Sequence, residues 1–184
     1  MKREIALYGE RVLRERCAKV EKITPEIKEL AADLIRMAKG NAGLAAPQIF
    51  EAVRMFAAVF VKCDKQGEFL RDEEGTVQME EPRIFINPEL SSPSEDTEIL
   101  SEGCLSIPDF MATVERPYAI TIKAMDLEGN TFEERIEGFN ARILMHENDH
   151  LNGVLNIDRM THADKKIFEP DLKRLKKEYK KQSK

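Results

Sequence analysis

"FNARILMHENDHLNG", residues 139–153, decides how this chain is read. The stretch runs without glycine or proline until Gly153, and Ile143, Leu144 and Leu151 put apolar side chains on more than one of its faces. A helix that is apolar on several faces has to be covered on several sides, so the stretch predicts a buried helix between sheets, closed at Gly153. Within it stands His146-Glu147-Asn148-Asp149-His150, an H-E-x-x-H pattern. Residues four apart lie one turn above each other, so both imidazoles can turn to one ion. Glu147 follows about 100° around the helix. It flanks the site without joining the ligands, as suits a base that takes a proton from a metal-bound water. Asp149 either orients a histidine ring or is a solvated helix residue.

Two histidines make half of a tetrahedral site. His162 follows Gly153 and Asp158 in another segment and is expected on the surface. A carboxylate or a thiolate must therefore complete the set. Cys104 stands in "SEGCLSIP" (101–108), where Gly103 permits a close backbone approach and Pro108 ends the segment. Its thiolate would be a strong donor to Zn or Fe(II). Cys17 and Cys63 read as small core or edge residues.

Outward from the helix, Thr24-Pro25 followed by Ile27, Leu30, Ala31, Leu34 and Met37 predicts a capped amphipathic helix over 25–38. "GLAAPQ" (43–48) is a small-residue loop, and 53–61 is a buried strand. Residues 63–82 read as an exposed hairpin or loop insertion without expected function. "RIFINPEL", "TEIL" and residues 112–138 read as strands, the last two meeting at a turn around 128–130. The sum is an α+β fold: antiparallel sheets packed around a central metal-binding helix, with an N-terminal and a C-terminal helix, in one domain spanning 1–184.

With 184 residues, 42% of them hydrophobic and 34% charged, the chain has an ordinary globular composition. Its longest apolar run, 55–61, is far short of a membrane span, which needs about 20 residues, and the amino terminus carries no apolar signal core. Three cysteines, an odd number, point to reduced thiols in a cytoplasmic protein. A net charge of −5 argues against nucleic acid binding by the whole surface, so neither DNA nor a membrane is an expected partner. The tail 165–184 inverts the sign, with nine Lys/Arg against three Asp/Glu. It reads as a solvated, fraying helix or as a contact for an anionic partner such as ribosomal RNA.

"GLAAPQ", "EGCLS" (102–106) and "HENDH" (146–150) occur in the order and approximate spacing of the three signature motifs of peptide deformylases, and the chain resembles that family from about residue 5 to 160. The resemblance implies hydrolysis of the formyl group from the N-formylmethionine of nascent polypeptides, with formate released. It implies Cys104, His146 and His150 as metal ligands with water as the fourth, and Glu147 as the group that moves the proton. The metal, the Gln48 amide and the backbone N–H of Leu105 would hold the oxyanion, Gly43 and Leu44 would line the pocket, and Phe139 and Ile143 would flank the methionine side chain. The implied cofactor is one Fe(II); the donor set also accepts Zn, Ni or Co. The match begins at Ile5 without a transit extension, which favours a bacterial-type cytoplasmic enzyme.

Four positions depart from the family pattern. Asn41 and Phe50 flank the loop motif where glycines are usual, Asp109 stands where glycine is frequent, and Met145 replaces the glutamine before the first histidine. Two rival readings exist: a zincin-like peptidase, which needs a downstream His or Glu ligand, and a silent metal-binding or ribosome-associated protein of the same fold.

Overall fold

The structure, a computed structural model, describes residues 3–182. Helix α1 (Pro25–Ala38) begins where expected: the Thr24 side chain accepts from Ile27 N at 3.4 Å and Pro25 takes the first helical position. Seven strands follow: β1 (Gly43–Ala45), β2 (Met55–Ala58), β3 (Arg83–Ser91), β4 (Thr97–Cys104), β5 (Ile107–Pro117), β6 (Ala119–Met125) and β7 (Thr131–Glu137). Helices α2 (Gly138–Leu151), α3 (Asn156–Arg159) and α4 (His162–Gln182) complete the described chain. Five strands form one antiparallel sheet in the order β1-β2-β3-β6-β7, and β4 and β5 form a separate hairpin sheet.

The five-stranded sheet is covered on both faces, which explains why its central strands read as continuous apolar runs. Phe56 and Ala58 of β2 and Phe85 of β3 face α2, where they meet Ala141, Leu144 and Met145. Met55, Ala57, Ile84 and Ile86, the alternate residues, face α1 and meet Leu30, Ala31 and Leu34. Full burial of each such Leu contributes about 1.5–3 kcal/mol. The expected α+β fold is therefore present, with α2 at its centre.

Two expectations are corrected. The tail was expected as a solvated, fraying helix, but Leu175 and Tyr179 of α4 are buried against Ile107, Ala112 and Val114 of β5 and against Ala6 and Leu13. Tyr179 Oη donates to Pro108 O at 2.5 Å. Pro108 was expected to end its segment, yet it lies inside β5, where a two-stranded sheet leaves one backbone edge without a ladder to complete. The 63–82 insertion is a small meander: Val61 pairs with Met79, Cys63 with Phe69 and Arg71 with Val77.

Candidate metal centre

Three elements bring the ligand set together. Cys104 closes β4 where the register with β5 slips: one step from Gly103 to Cys104 answers four steps from Met111 to Ile107. β5 carries the surplus residues there, and such bulges redirect side chains. α2 supplies His146 and His150 from one face, with ring centroids 5.1 Å apart. Cys104 Sγ lies 3.4 Å from His150 Nε2, and a donor atom from each of Cys104, His146 and His150 lies within 4.8 Å of the others. Metal–ligand bonds of about 2.0–2.3 Å set tetrahedral donors roughly 3.5 Å apart, so these residues fit one divalent ion. Burial alone would push the Cys104 thiol up, but His150 and His146 beside it pull it well below the usual thiol range, toward the thiolate that binds metals.

A buried ionic layer sits behind the ligands. Glu102 Oε2 meets His146 Nδ1 at 3.0 Å, which turns the other ring nitrogen toward Cys104. The same carboxylate accepts from Arg116 Nε at 2.6 Å and Nη2 at 2.9 Å, and from Arg142 Nη1 at 2.8 Å. Burial opposes its charge, yet Arg116 and His146 hold the Glu102 carboxyl far below the usual carboxylate range. Asp149, a candidate for orienting a histidine ring, instead accepts from Arg116 Nη1 at 2.9 Å and from Arg159 Nη2 at 2.5 Å. Glu102 takes the orienting position. Sequence reading passed over Glu102, although a side chain two residues before Cys104 on a strand shares its face. Arg142 was equally legible, one helical turn before His146.

Gln48 lies in a short 3-10 turn, Ala46–Ile49, and is 2% exposed. Its Oε1 accepts from Ala45 N at 2.8 Å, which fixes the amide orientation. The Nε2 end therefore points the other way, to Ser106 Oγ at 3.2 Å and to within 3.7 Å of Cys104 Sγ. Leu105 occupies the turn directly after Cys104. The N-terminal segment ties both motifs, as Ala6 N donates to Gln48 O and Tyr8 N to Ser106 O.

Glu147 is buried and its Oε2 makes no hydrogen bond among the described residues. Burial pushes its carboxyl up to about 7, against the opposing pull of the two histidines. Gly43 explains how the side chain fits: a Cβ there would come within 2.8 Å of Glu147 Cγ and Cδ.

A cleft of about 600 Å³ opens on these groups, lined also by Gly43, Leu105, Phe139 and Ile143. Leu44 was expected with Gly43 to line the pocket and to offer backbone hydrogen bonds to the peptide; its side chain is corrected, because β1 alternates and Gly43 faces the cleft while the Leu44 side chain is buried toward α1. The four departures also find places. Phe50 (φ 67°) and Asp109 (φ 62°) hold the left-handed backbone that glycine adopts freely, which is the physical reason a glycine suits both positions. Asn41 lines the cleft and donates from Nδ2 to Met37 O at 3.4 Å. Met145 is buried with Ile120 in the α2 core, behind the helix and away from the cleft. His162 is exposed at the start of α4.

A polypeptide deformylase family profile matches residues 2–166. The chain is 42% identical over 161 residues to a peptide deformylase of Afipia carboxidovorans, covering 86% of each. It superposes on the crystal structure of the Thermotoga maritima peptide deformylase with a TM-score of 0.73 at 33% identity, covering 88% of this chain and 99% of that one. A Plasmodium falciparum peptide deformylase gives a TM-score of 0.78 at 34% identity, covering 96% and 97%.

Proposed function

The chain belongs to the polypeptide deformylase family, metal-dependent hydrolases that remove the formyl group from nascent polypeptides, and from that premise we propose how its residues divide the work. Cys104, His146 and His150 hold one divalent ion, Fe(II) in the cell, with Zn, Ni or Co as substitutes the donor set accepts. When bound, the ion lowers the pKa of water and polarises the formyl carbonyl.

The remaining chemistry falls to the chain's own groups. Glu147 Oε2, buried without a hydrogen-bond partner among the described residues, takes the proton of the water that attacks the formyl carbon. It then returns that proton to the amine nitrogen as the C–N bond breaks, leaving formate and a free N-terminal methionine. A buried carboxyl facing the attacking water can do both, since it accepts the proton in one step and donates it in the next. Gln48 Nε2 and the Leu105 N–H donate to the oxyanion. Gly43 leaves room for Glu147, and Phe139 and Ile143 flank the methionine side chain. The enzyme acts as one domain in the cytoplasm, where its three unpaired thiols stay reduced. Among the described residues no helix is long and apolar enough to cross a membrane.

The observation that carries this reading is the convergence of Cys104, His146, Gln48 Nε2 and Glu147 on one cleft, with His150 buried against Cys104 Sγ. The test is formate release from a formyl-Met peptide by protein prepared with Fe(II) under anaerobic conditions. Glu147→Ala should keep the ion and lose turnover. Full activity in that variant removes the base role, and no formate from the wild type under any metal favours a silent binder.

The basic tail supports a contact with the ribosome. Lys166, Lys173, Lys177 and Lys180 are exposed on α4. Replacing all four by Glu should reduce co-sedimentation with ribosomes at moderate salt and spare turnover of a short formyl peptide. Unchanged co-sedimentation refutes the contact.

A further inference from the structure

The 61–80 meander reaches the substrate cleft through a single aromatic contact. Phe69 meets Phe139 with ring centroids 5.6 Å apart and planes at 65°, the edge-to-face arrangement that aromatic pairs favour. Phe139 opens the first turn of α2 and lines the cleft beside Ile143. The next residue, Asn140, clamps the base of the meander: its Oδ1 accepts from Val61 N at 2.8 Å and its Nδ2 donates to Val61 O at 3.0 Å. The ladder then carries this anchorage outward, with Leu70 N donating to Lys62 O at 2.8 Å and Phe69 pairing with Cys63. The meander is thus registered to α2 at its root and touches α2 again at its tip.

We propose that Phe69 is a specificity-determining positioning residue, which by bracing Phe139 fixes the wall of the slot that receives the first side chain of the formyl peptide. This inference rests on the deformylase reading of the cleft. Phe139 is only partly buried: one part of it packs against the buried α2 cluster, and Phe69 meets the ring edge-to-face. A large side chain such as methionine needs that wall in place, whereas an alanine side chain stops short of it. Loss of the brace therefore weakens capture of the large side chain and leaves the reacting groups, which sit on α2 and β4, where they were.

The experiment uses the Fe(II)-loaded enzyme and two peptides that differ only in their first residue, formyl-Met and formyl-Ala. Phe69→Ala should raise KM for the formyl-Met peptide roughly 3- to 10-fold, the range one aromatic pair commands. It should leave kcat within about twofold and KM for the formyl-Ala peptide unchanged, and Phe69→Tyr, which keeps the ring edge, should restore the wild-type KM. An unchanged KM for formyl-Met, an equal rise for both peptides, or a fall in kcat overturns the assignment while the deformylase reading stands. Absence of formate from either peptide with the wild type overturns both.

Discussion

Glu102 holds His146 by Nδ1 at 3.0 Å while Arg116 and Arg142 hold Glu102. The ring that faces Cys104 is thus set by a carboxylate that is itself fixed by two buried guanidinium groups. Glu102→Gln keeps the shape and removes the charge. The ion should be retained 10- to 100-fold less tightly, read by competition with a chelator. The metal-free protein should also unfold more easily, by about 3 kcal/mol, because Arg142 loses its counter-charge and Arg116 keeps only Asp149. Unchanged metal retention refutes the orienting role.

Gly43 leaves the space that Glu147 fills. Gly43→Ala should displace the carboxylate and lower kcat about 100-fold, the effect of a misplacement near 1 Å. Metal content should remain that of the wild type. A variant with normal kcat would mean that the backbone of β1 yields instead.

Burial pushes the Cys17 thiol up to about 11 from an ordinary value of 9.0. The folded thiol then stays neutral where the unfolded chain ionises. Its contribution to stability is fully present below pH 9 and is lost as the pH rises toward 11, about 2–3 kcal/mol in all. Urea unfolding at pH 8 and pH 10.5 should show the loss, and Cys17→Ala should remove this part of the slope. At pH 8 iodoacetamide should label exposed Cys63 and spare Cys17. Rapid labelling of Cys17 in the folded protein would contradict the buried assignment.

Phe50 carries a left-handed backbone at φ 67° with its ring half in solvent. Phe50→Gly should relieve that conformation and stabilise the protein by about 1 kcal/mol, partly offset by the extra freedom of glycine in the unfolded chain. Thermal unfolding should shift upward by about 2–4 °C. A lowered midpoint would show that the Phe50 ring contributes packing worth more than the strain.

Where a period could be counted, the sequence was enough. α1 and α2 declared themselves through caps, apolar spacing and the absence of breakers, and β2 and β3 through runs apolar on both faces. The Cys104, His146 and His150 cluster was legible because H-E-x-x-H sets two of its members on one helix and Cys104 has an unusual setting. The Leu44 side chain was placed on the wrong side because β1 is three residues long, too short for its alternation to show. The tail was read as a solvated helix or an anionic-partner contact because the surface that Leu175 and Tyr179 cover, on β5, lies far off in the chain. Glu102 went unremarked since its partners come from β5 and α2, and only tertiary structure brings those together.

Cys104 and His150 stand 46 residues apart, so an ion that joins them ties a hairpin to a helix across a long loop. In the unfolded chain Cys104 is not held beside the histidine pair, so the three-donor site forms only once β4 and α2 have docked. A bond formed that late does little for the rate of folding and a great deal against the rate of unfolding, since the loaded molecule must surrender its ion before it can open. An ion held there would be a kinetic latch, and its removal should shorten the lifetime of the folded enzyme far more than it slows the enzyme's formation.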